Sequence, residues 1–262
     1  MKKFKTDTYT DIGTKKDVNQ DALVLKQASV RGIGNVCFGC LCDGMGGLSC
    51  GEIASAAFIH RMDEWFNVQL PYLFTRTDFT EQLDIESIHS NIYLRQVKKD
   101  WSAIVQEMNL RLKNYGNNLA IKLGTTVVAI LLINDEYLIM NVGDSRAYLI
   151  SDYESRVLTH DHSYVQQQID LGNMTEEEAN NSNKKSLLLQ CIGASEQVIP
   201  SFYSGNCNPS DKILLCSDGF WRKLDIEEMK NTAKKKNGLE TMTKMVIERG
   251  ETDNISSLLI AT

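Results

Sequence analysis

The fold of this chain is restricted most strongly by its strand-like segments, which occur in groups with helical segments between them. The expected strands are residues 6–11, 22–26, 36–42, 125–133, 137–142, 147–150, 198–204, 212–216 and 255–261. Turn signals such as Asn134 followed by Asp135 separate neighbouring strands by only a few residues, and connections this short join antiparallel strands.

Helical patterns lie between these groups. An Ala-rich helix is expected over 51–66, ending near Asn67, and a long amphipathic helix from Ile88 to about Gly116. Shorter helices are predicted at 164–171, 176–180, 225–235 and 239–249, whereas residues 71–86 have a mixed pattern. This arrangement predicts an α+β fold in which two packed sheets carry helices outside. No linker or repeat interrupts it, so residues 1–262 are predicted to form one domain.

The composition narrows the classes of function. Lys and Arg number 28 against 34 Asp and Glu, and the net charge of −6 argues against nucleic acid or an anionic membrane as a partner. The most apolar run, 127–133, is far shorter than the ~20 residues of a membrane span. Seven cysteines, an odd number, and a start without an apolar signal segment predict a cytoplasmic protein with reduced thiols.

Four aspartates lie next to the ends of predicted strands. Asp43 and Asp218 each follow a strand, Asp253 precedes the last one, and Asp144 lies in a turn between two strands. Taken singly, each is typical of a turn, because Asp beside Gly or Asn often caps the backbone. Taken together, they predict that several carboxylates meet at one edge of the sandwich, where cations must offset their repulsion.

The available donor atoms favour a particular kind of cation. Carboxylates combined with a backbone carbonyl and water suit Mg²⁺ or Mn²⁺ rather than zinc. Gly44 and Gly46 would allow a backbone carbonyl to turn towards an ion. Two such ions about 4 Å apart can activate a water molecule to attack phosphorus, without a Cys or Ser nucleophile.

In its motifs and their order, the chain resembles the metal-dependent serine/threonine phosphatases of the PPM type, also called type 2C, and especially bacterial members. The motifs are Val18-Asn19-Gln20-Asp21, Asp43-Gly44-Met45-Gly46-Gly47, Gly124-Thr125-Thr126, Gly143-Asp144-Ser145-Arg146, Leu158-Thr159-His160-Asp161-His162-Ser163, Cys216-Ser217-Asp218-Gly219 and Asp253-Asn254-Ile255. Each motif alone is weak, but seven in family order are specific. The resemblance implies a four-layer αββα sandwich, in which two antiparallel β-sheets are flanked by antiparallel helix pairs.

The resemblance also implies a dinuclear centre at one end of the sandwich. Asp43 would bridge two Mg²⁺ or Mn²⁺ ions, the Gly44 carbonyl would bind the second, and Asp218 and Asp253 would hold the first. A water activated between the ions would hydrolyse phosphoserine and phosphothreonine in proteins, which makes Asp43, Asp218 and Asp253 the expected catalytic residues. The expected partners are phosphorylated proteins, among them a bacterial Ser/Thr kinase and its targets.

Further residues are assigned supporting roles by the same resemblance. Asp144, together with Asp218, would hold the weaker third ion found in many bacterial members. Asn254 would hold Asp253 in place without contacting an ion itself. Gln20 and Asp21 would likewise lie next to the ligands and orient them.

Three positions depart from the family pattern. Lys16 stands where many members have an Arg that grips the substrate phosphate, so a point charge replaces a two-pronged guanidinium. Gln20 replaces a common Glu. Met45 replaces the His proposed as general acid in animal members, which leaves the source of the leaving-group proton open.

Two rival functions stay open at the level of sequence. Lys16 and Gln20 suggest a pseudophosphatase that binds phosphoproteins without turnover, although all four aspartates are present. The same centre could also serve small metabolites or phosphotyrosine. Residues 166–185 match the family's flap beside the site, which would tune substrate choice, or form an ordinary surface loop. His160, His162 and Trp221 are expected to have structural roles.

Overall fold

The computed structural model of the chain describes residues 4–45, 50–75 and 92–262. The strands in these ranges are β1 (Lys5–Asp11), β2 (Asp21–Val30), β3 (Gly34–Asp43), β4 (Val127–Ile133), β5 (Glu136–Val142), β6 (Arg146–Ile150), β7 (Arg156–Val157), β8 (Ser201–Asn206), β9 (Lys212–Cys216) and β10 (Ile255–Ala261). The α-helices are α1 (Gly51–Glu64), α2 (Leu70–Thr75), α3 (Ile92–Leu119), α4 (Tyr164–Asp170), α5 (Glu176–Asn181), α6 (Asp218–Trp221), α7 (Ile226–Thr232) and α8 (Gly238–Glu248).

The strands form two five-stranded antiparallel sheets. The first sheet has the order β1-β10-β9-β6-β7, and the second has the order β2-β3-β4-β5-β8. The loop between β5 and β6 passes from the second sheet to the first, so Asp144 lies where the two sheets meet. Register places Asp21 of β2 opposite Asp43 of β3 at the end of their ladder.

Three apolar clusters hold the layers together. Residues such as Leu41, Ile130 and Leu258 fill the space between the two sheets. The outer face of the second sheet packs against α1 and α3, where Phe38, Trp65 and Trp101 are fully buried with ring centroids 5.3–6.1 Å apart. The outer face of the first sheet packs against the C-terminal helices. Helices therefore cover both outer faces of the sandwich, which confirms the α+β class and the αββα order of layers.

Several sequence-based boundaries are wrong, among them the strand predicted over 22–26, which continues to Val30, and two further differences have a clear physical reason. The helix predicted to end near Asn67 continues through a π-helical turn, Trp65–Gln69, into α2. Pro71 directly follows this turn, where the hydrogen bonds have already shifted from the α-helical to the π-helical pattern, as in the bond from the Leu70 N–H to the Trp65 carbonyl, so the missing proline donor interrupts no regular α-helical ladder. The strand predicted from Val198 begins at Ser201 instead, since Val198 packs with the helical cluster and Pro200 cannot donate to the ladder.

Some predictions fall outside the described residues. These are the remainder of the mixed segment 71–86 beyond Thr75, the expected start of the long helix at 88–91, and Gly46. Within the described ranges, none of the helices combines the length and the apolar character needed to cross a bilayer.

Candidate metal centre

The four predicted ligand aspartates lie together where the ends of both sheets meet. Asp43 is the last residue of β3 in the second sheet, and Asp218 follows β9 of the first sheet as the first residue of α6. Asp253 lies just before β10, beside β9, and Asp144 lies between β5 and β6. Antiparallel pairing brings these strand ends to one edge although they are distant in sequence. The structure therefore joins all four residues in a single cluster.

The electrostatics of Asp43 show how closely the carboxylates converge. The side chain is half-buried at the end of β3, and the loss of solvent raises the pKa of its carboxyl group well above the usual range. Asp21, Asp218, Asp144 and Asp253 raise the same pKa further through their negative charge. Burial likewise raises the pKa of Asp218, although the Arg222 guanidinium opposes the shift. Such a cluster binds protons or cations strongly.

Asp21 is a fifth acidic residue of the cluster and lies opposite Asp43 on the neighbouring strand. Both of its carboxylate oxygens are buried and have no well-formed hydrogen bond. Burial raises its pKa to about 7, while the neighbouring hydroxyls of Ser256 and Ser217 lower it. Its position opposite Asp43 fits a role behind the ligands, where an unpartnered carboxylate adds negative potential to the site.

Asp144 and Asp218 both contact the guanidinium group of Arg222. Asp144 is 4% exposed, and burial followed by the charge of Asp218 raises its pKa to about 7, against the opposing effect of Arg222. One nitrogen of Arg222, Nη2, lies 2.7 Å from Asp218 Oδ2 and 3.2 Å from Asp144 Oδ2. The guanidinium therefore occupies the space between these two carboxylates.

Lys16 reaches the same cluster from the loop after β1. Its Nζ lies 2.8 Å from Asp253 Oδ1, and about a third of its side chain is exposed. Burial would lower the pKa of Lys16, but the hydrogen bond and charge of Asp253, with the charges of Asp43 and Asp218, raise it overall. The predicted phosphate-binding residue is thus a charged group at the edge of the acidic cluster.

Gly44 is required by close backbone contacts. Its N–H donates to the carbonyl of Gln20 (3.1 Å), and its backbone pairs with Thr125. A side-chain Cβ at this position would come within 2.3 Å of the Gly51 carbonyl oxygen. The Gln20 amide in turn donates to Glu52. These contacts hold the backbone immediately after Asp43 in one conformation.

Asn254 connects the C-terminal strand to the loop that carries Lys16. Its side-chain oxygen accepts from the Gln20 backbone N–H (2.9 Å), and its amide nitrogen donates to the carbonyls of Ile12 (2.8 Å) and Val18 (3.2 Å). Its backbone N–H donates to Asp253 Oδ1 (2.9 Å). Asn254 therefore holds the loop through its buried side chain and orients Asp253 through its backbone N–H.

A cleft of about 920 Å³ lies beside the cluster, with Asp144, Arg222 and Asp253 among its lining residues. Its wall includes Trp221, whose Nε1 donates to the Asp144 carbonyl (3.0 Å) and whose ring lies 3.4 Å from the Arg146 guanidinium carbon. Residues of α4 and α5, within the predicted flap, line the opposite side. The cleft therefore connects the predicted flap with the acidic cluster.

His160 and His162 have structural partners, as expected. His160 Nε2 contacts Asp170 of α4 (2.8 Å), and His162 Nε2 contacts the Ser201 hydroxyl (2.9 Å). Both side chains anchor the start of the flap segment to the body of the protein.

Two functional candidates were missed by sequence reasoning. Arg222 and Arg146 both contact aspartates of the site region, and Arg146 pairs with Asp161 through Nε (2.9 Å) and Nη2 (2.8 Å). The only available signal for Arg222 was its spacing of four residues from Asp218, which brings side chains together on a helix.

The cluster fits a hard divalent cation by its donor chemistry. It offers oxygen atoms only, carries an excess of negative charge and includes the unpartnered carboxylate of Asp21. Within the described residues, no three acidic, His or Cys side chains form a completed ligand set. Lys16 and Arg222 stand among the carboxylates instead. Ions bound by Asp43, Asp218 and Asp253 would add to the neutralisation that these two cations provide.

A four-layer αββα sandwich with an acidic cluster at the junction of its sheets defines a class of metal-dependent hydrolases. The family model described as protein phosphatase 2C matches residues 13–259. The chain belongs to the protein phosphatase 2C family.

Individual relatives agree with this assignment. A protein of Streptococcus pyogenes assigned to the 2C type of protein phosphatases is 32% identical over 98% of this chain and 97% of its own length. The serine/threonine phosphatase stp of Listeria monocytogenes is 31% identical over 83% of this chain and 81% of its own. The crystal structure of the serine/threonine phosphatase Stp1 from Staphylococcus aureus has a TM-score of 0.83 and 25% identity, covering 100% of this chain and 96% of that one.

Proposed function

We propose that this protein hydrolyses phosphoserine and phosphothreonine monoesters in other proteins, using two Mg²⁺ or Mn²⁺ ions. The observation that carries the proposal is the convergence of Asp43, Asp144, Asp218 and Asp253 at the junction of the two sheets. Family membership and the similarity to serine/threonine phosphatases support the same reaction.

The side chains of the cluster would have different roles according to their positions. Asp43, Asp218 and Asp253, with the Gly44 carbonyl, would hold the two ions. Bound there, the ions supply an activated water and stabilise the charge that develops on the phosphoryl group. Lys16 would bind a phosphate oxygen at the rim, a role favoured by its exposure and its pairing with Asp253.

The supporting residues keep these groups in place. Asn254 would fix Asp253 relative to the loop of Lys16, and Gln20 would fix the backbone at Gly44 through its carbonyl. Asp21 would strengthen cation binding by adding buried negative charge. Asp144 faces Arg222.

The cellular setting is part of the proposal. A protein phosphatase acts on what a kinase has phosphorylated, so a bacterial Ser/Thr kinase and its targets are the expected partners, with no nucleic acid and no membrane. The net charge of −6 supports this, and seven free cysteines support a cytoplasmic location. The family match over 13–259 favours residues 1–262 as one phosphatase domain.

The first test removes the metal and then one ligand. Dialysis against EDTA should abolish release of phosphate from phosphoserine and phosphothreonine peptides, and Mn²⁺ or Mg²⁺ should restore it. Asp43→Asn should lower kcat by at least about 10²-fold, the usual cost of losing one group that stabilises the transition state. The matched control is Asp152→Asn, since Asp152 is exposed and lies on the surface beside Lys234. Full turnover in EDTA would contradict the proposal.

The alternative of a pseudophosphatase is not favoured by any contact among the described residues, because all four aspartates and the supporting amides are in place. Asp218→Asn separates the two functions. In an enzyme it should abolish turnover, whereas a pure binding module would show no turnover in the wild type and would still bind its phosphoprotein partner after the substitution.

A further inference from the structure

The pair Asp144 and Asp218 is already bridged by a charge that belongs to the chain. Both aspartates are nearly inaccessible, at 4% and 8% exposure. A single nitrogen, Arg222 Nη2, lies within 3.2 Å of a carboxylate oxygen on each. This is the position that a cation shared by the two carboxylates would take.

The local backbone holds Arg222 in this place. The short helix α6 begins at Asp218 and is followed directly by Arg222, whose N–H donates to the Asp218 carbonyl (3.1 Å). The four-residue spacing puts the two side chains on the same face of the turn. A second nitrogen, Nη1, lies 3.3 Å from the Ser186 hydroxyl, which closes the other side of the guanidinium.

The charge of Arg222 is permanent. Only 17% of its side chain is exposed, and the charges of Asp218 and Asp144 outweigh the effect of burial and raise its pKa. A divalent ion that bound between the same carboxylates would have to displace the guanidinium. Displacement would leave a buried cation without its partners, which is costly.

We propose that Arg222 takes the place of a third divalent cation between Asp144 and Asp218, so that this chain works with two ions and one built-in cation. The inference rests on the two-ion centre proposed above. It makes Arg222 a positioning residue that orients Asp218 and neutralises Asp144, and it removes the need for a weakly bound third ion.

Metal stoichiometry tests this directly. Calorimetric titration with Mn²⁺, together with electron paramagnetic resonance of the free ion, should show two Mn²⁺ per wild-type chain and no third binding event up to millimolar concentrations. In Arg222→Gln a third ion should bind at least about tenfold more tightly than any additional ion in the wild-type protein, because the competing positive charge is gone. The double variant Arg222→Gln with Asp144→Asn should lose that third ion again.

Two further variants serve as controls. Arg222→Lys keeps a positive charge at this position and should bind two ions. Arg111→Gln removes an exposed arginine on α3 that pairs with Glu107, and its stoichiometry should match the wild type. Circular dichroism and thermal unfolding establish that each variant is folded.

The outcomes separate the two proposals. Three Mn²⁺ bound by the wild-type chain would overturn the role of Arg222 and leave the two-ion centre standing, even if Arg222→Gln does not fold. Two ions in the wild type and still only two in folded Arg222→Gln would overturn it as well. No Mn²⁺ bound by the wild type would overturn both the metal centre and the inference that rests on it.

Discussion

Lys16 is held at the rim of the acidic cluster by one contact to a proposed ligand. The ammonium group lies 2.8 Å from Asp253, and the loop that carries it is anchored by Asn254. An ion at Asp253 would take over part of that carboxylate, and the ammonium group could then turn to a phosphate oxygen. We therefore expect the lysine to act in substrate binding rather than in the chemical step.

Replacement of Lys16 should affect binding more than turnover. In Lys16→Ala the KM for a phosphothreonine peptide should rise by at least about tenfold, since a hydrogen bond to a charged group contributes about 1.5 kcal/mol or more. Lys16→Arg should restore a low KM, because guanidinium also binds phosphate. Steady-state kinetics at saturating Mn²⁺ measure both constants.

The neighbouring Lys15 provides the matched control. It is exposed in the same loop, and Lys15→Ala should leave KM unchanged. A Lys16→Ala variant with normal KM and reduced kcat would contradict the assignment of Lys16 to phosphate binding.

At the residue scale, the sequence predicted the acidic members of the site better than the basic ones. Asp43, Asp144, Asp218 and Asp253 stand out because each lies at a strand end in a short motif, and the structure brings them together. Their exact roles stay predictions. Arg222 could not be found in this way, because a single arginine after a strand is usually exposed, and its burial depends on the four-residue helix α6.

At the scale of elements, the start of β6 is joined to the flap region by an ion pair. Arg146 contacts Asp161 through two nitrogens and stacks on Trp221, while the Asp161 side chain is only 5% exposed. The pair is thus placed between β6, the segment before α4, and α6. Its loss would leave a buried carboxylate without its cation.

Arg146→Gln should therefore lower the free energy of unfolding by about 3 kcal/mol, the usual cost of removing one partner of a buried ion pair. Urea denaturation of the metal-free protein measures the change. Arg31→Gln, at an exposed turn between β2 and β3, should change it by less than about 0.5 kcal/mol. An equal effect of the two substitutions would show that the Arg146 contacts contribute little.

Long elements with a clear hydrophobic pattern were predicted more accurately than short ones. The strands β9 and β10 have the predicted bounds, and the core of every longer strand was found from its apolar residues. The continuation of α1 past Asn67 was missed, because Asn and Pro together indicate a helix end while tertiary packing of Trp65, Phe66 and Leu70 keeps the chain helical. Helix α6 and strand β7 are too short to show any periodicity.

At the scale of the whole molecule, the excess of buried carboxylates makes the stability of the metal-free protein depend on pH. The pKa of Asp21 is about 7 in the folded protein, against about 3.9 in an unfolded chain. A raised pKa in the folded state means that the stabilisation is present at low pH and is lost as the pH rises towards and through 7. Asp43, Asp144 and Asp218 act in the same direction.

In EDTA, the free energy of unfolding should fall between pH 5.5 and pH 8, with Asp21 contributing about 2 kcal/mol of the decrease. Asp21→Asn should show a decrease smaller by about that amount, because an amide resembles the protonated carboxyl group at every pH. Urea denaturation at the two pH values, with and without Mn²⁺, measures the difference.

His162 opposes this trend. Burial lowers its pKa, so its contribution to stability increases as the pH rises through 6.5. This increase should be the same in the wild type and in Asp21→Asn. The comparison of wild type with Asp21→Asn therefore isolates the carboxylate. Equal decreases in the two proteins would show that Asp21 is not protonated in the folded state.

The overall layer order followed from the grouping of strands and helices, but the junction that carries the site could not be read from the same pattern. Which strand ends share an edge depends on the crossing from β5 to β6 and on the pairing of β9 with β10. Those long-range contacts are set by packing between sheets, for which a single sequence gives only apolar alternation.

The location of the cluster at the junction of the sheets links metal supply to the lifetime of the protein. An ion held by Asp43 and Asp218 would connect β3 of one sheet to the end of β9 in the other, and its binding free energy would then be added to that of folding. Cells starved of manganese or magnesium would then hold more of this chain in opened states, which proteases degrade. Through this cross-link, the same ions that support turnover would also set how much of the protein a cell retains.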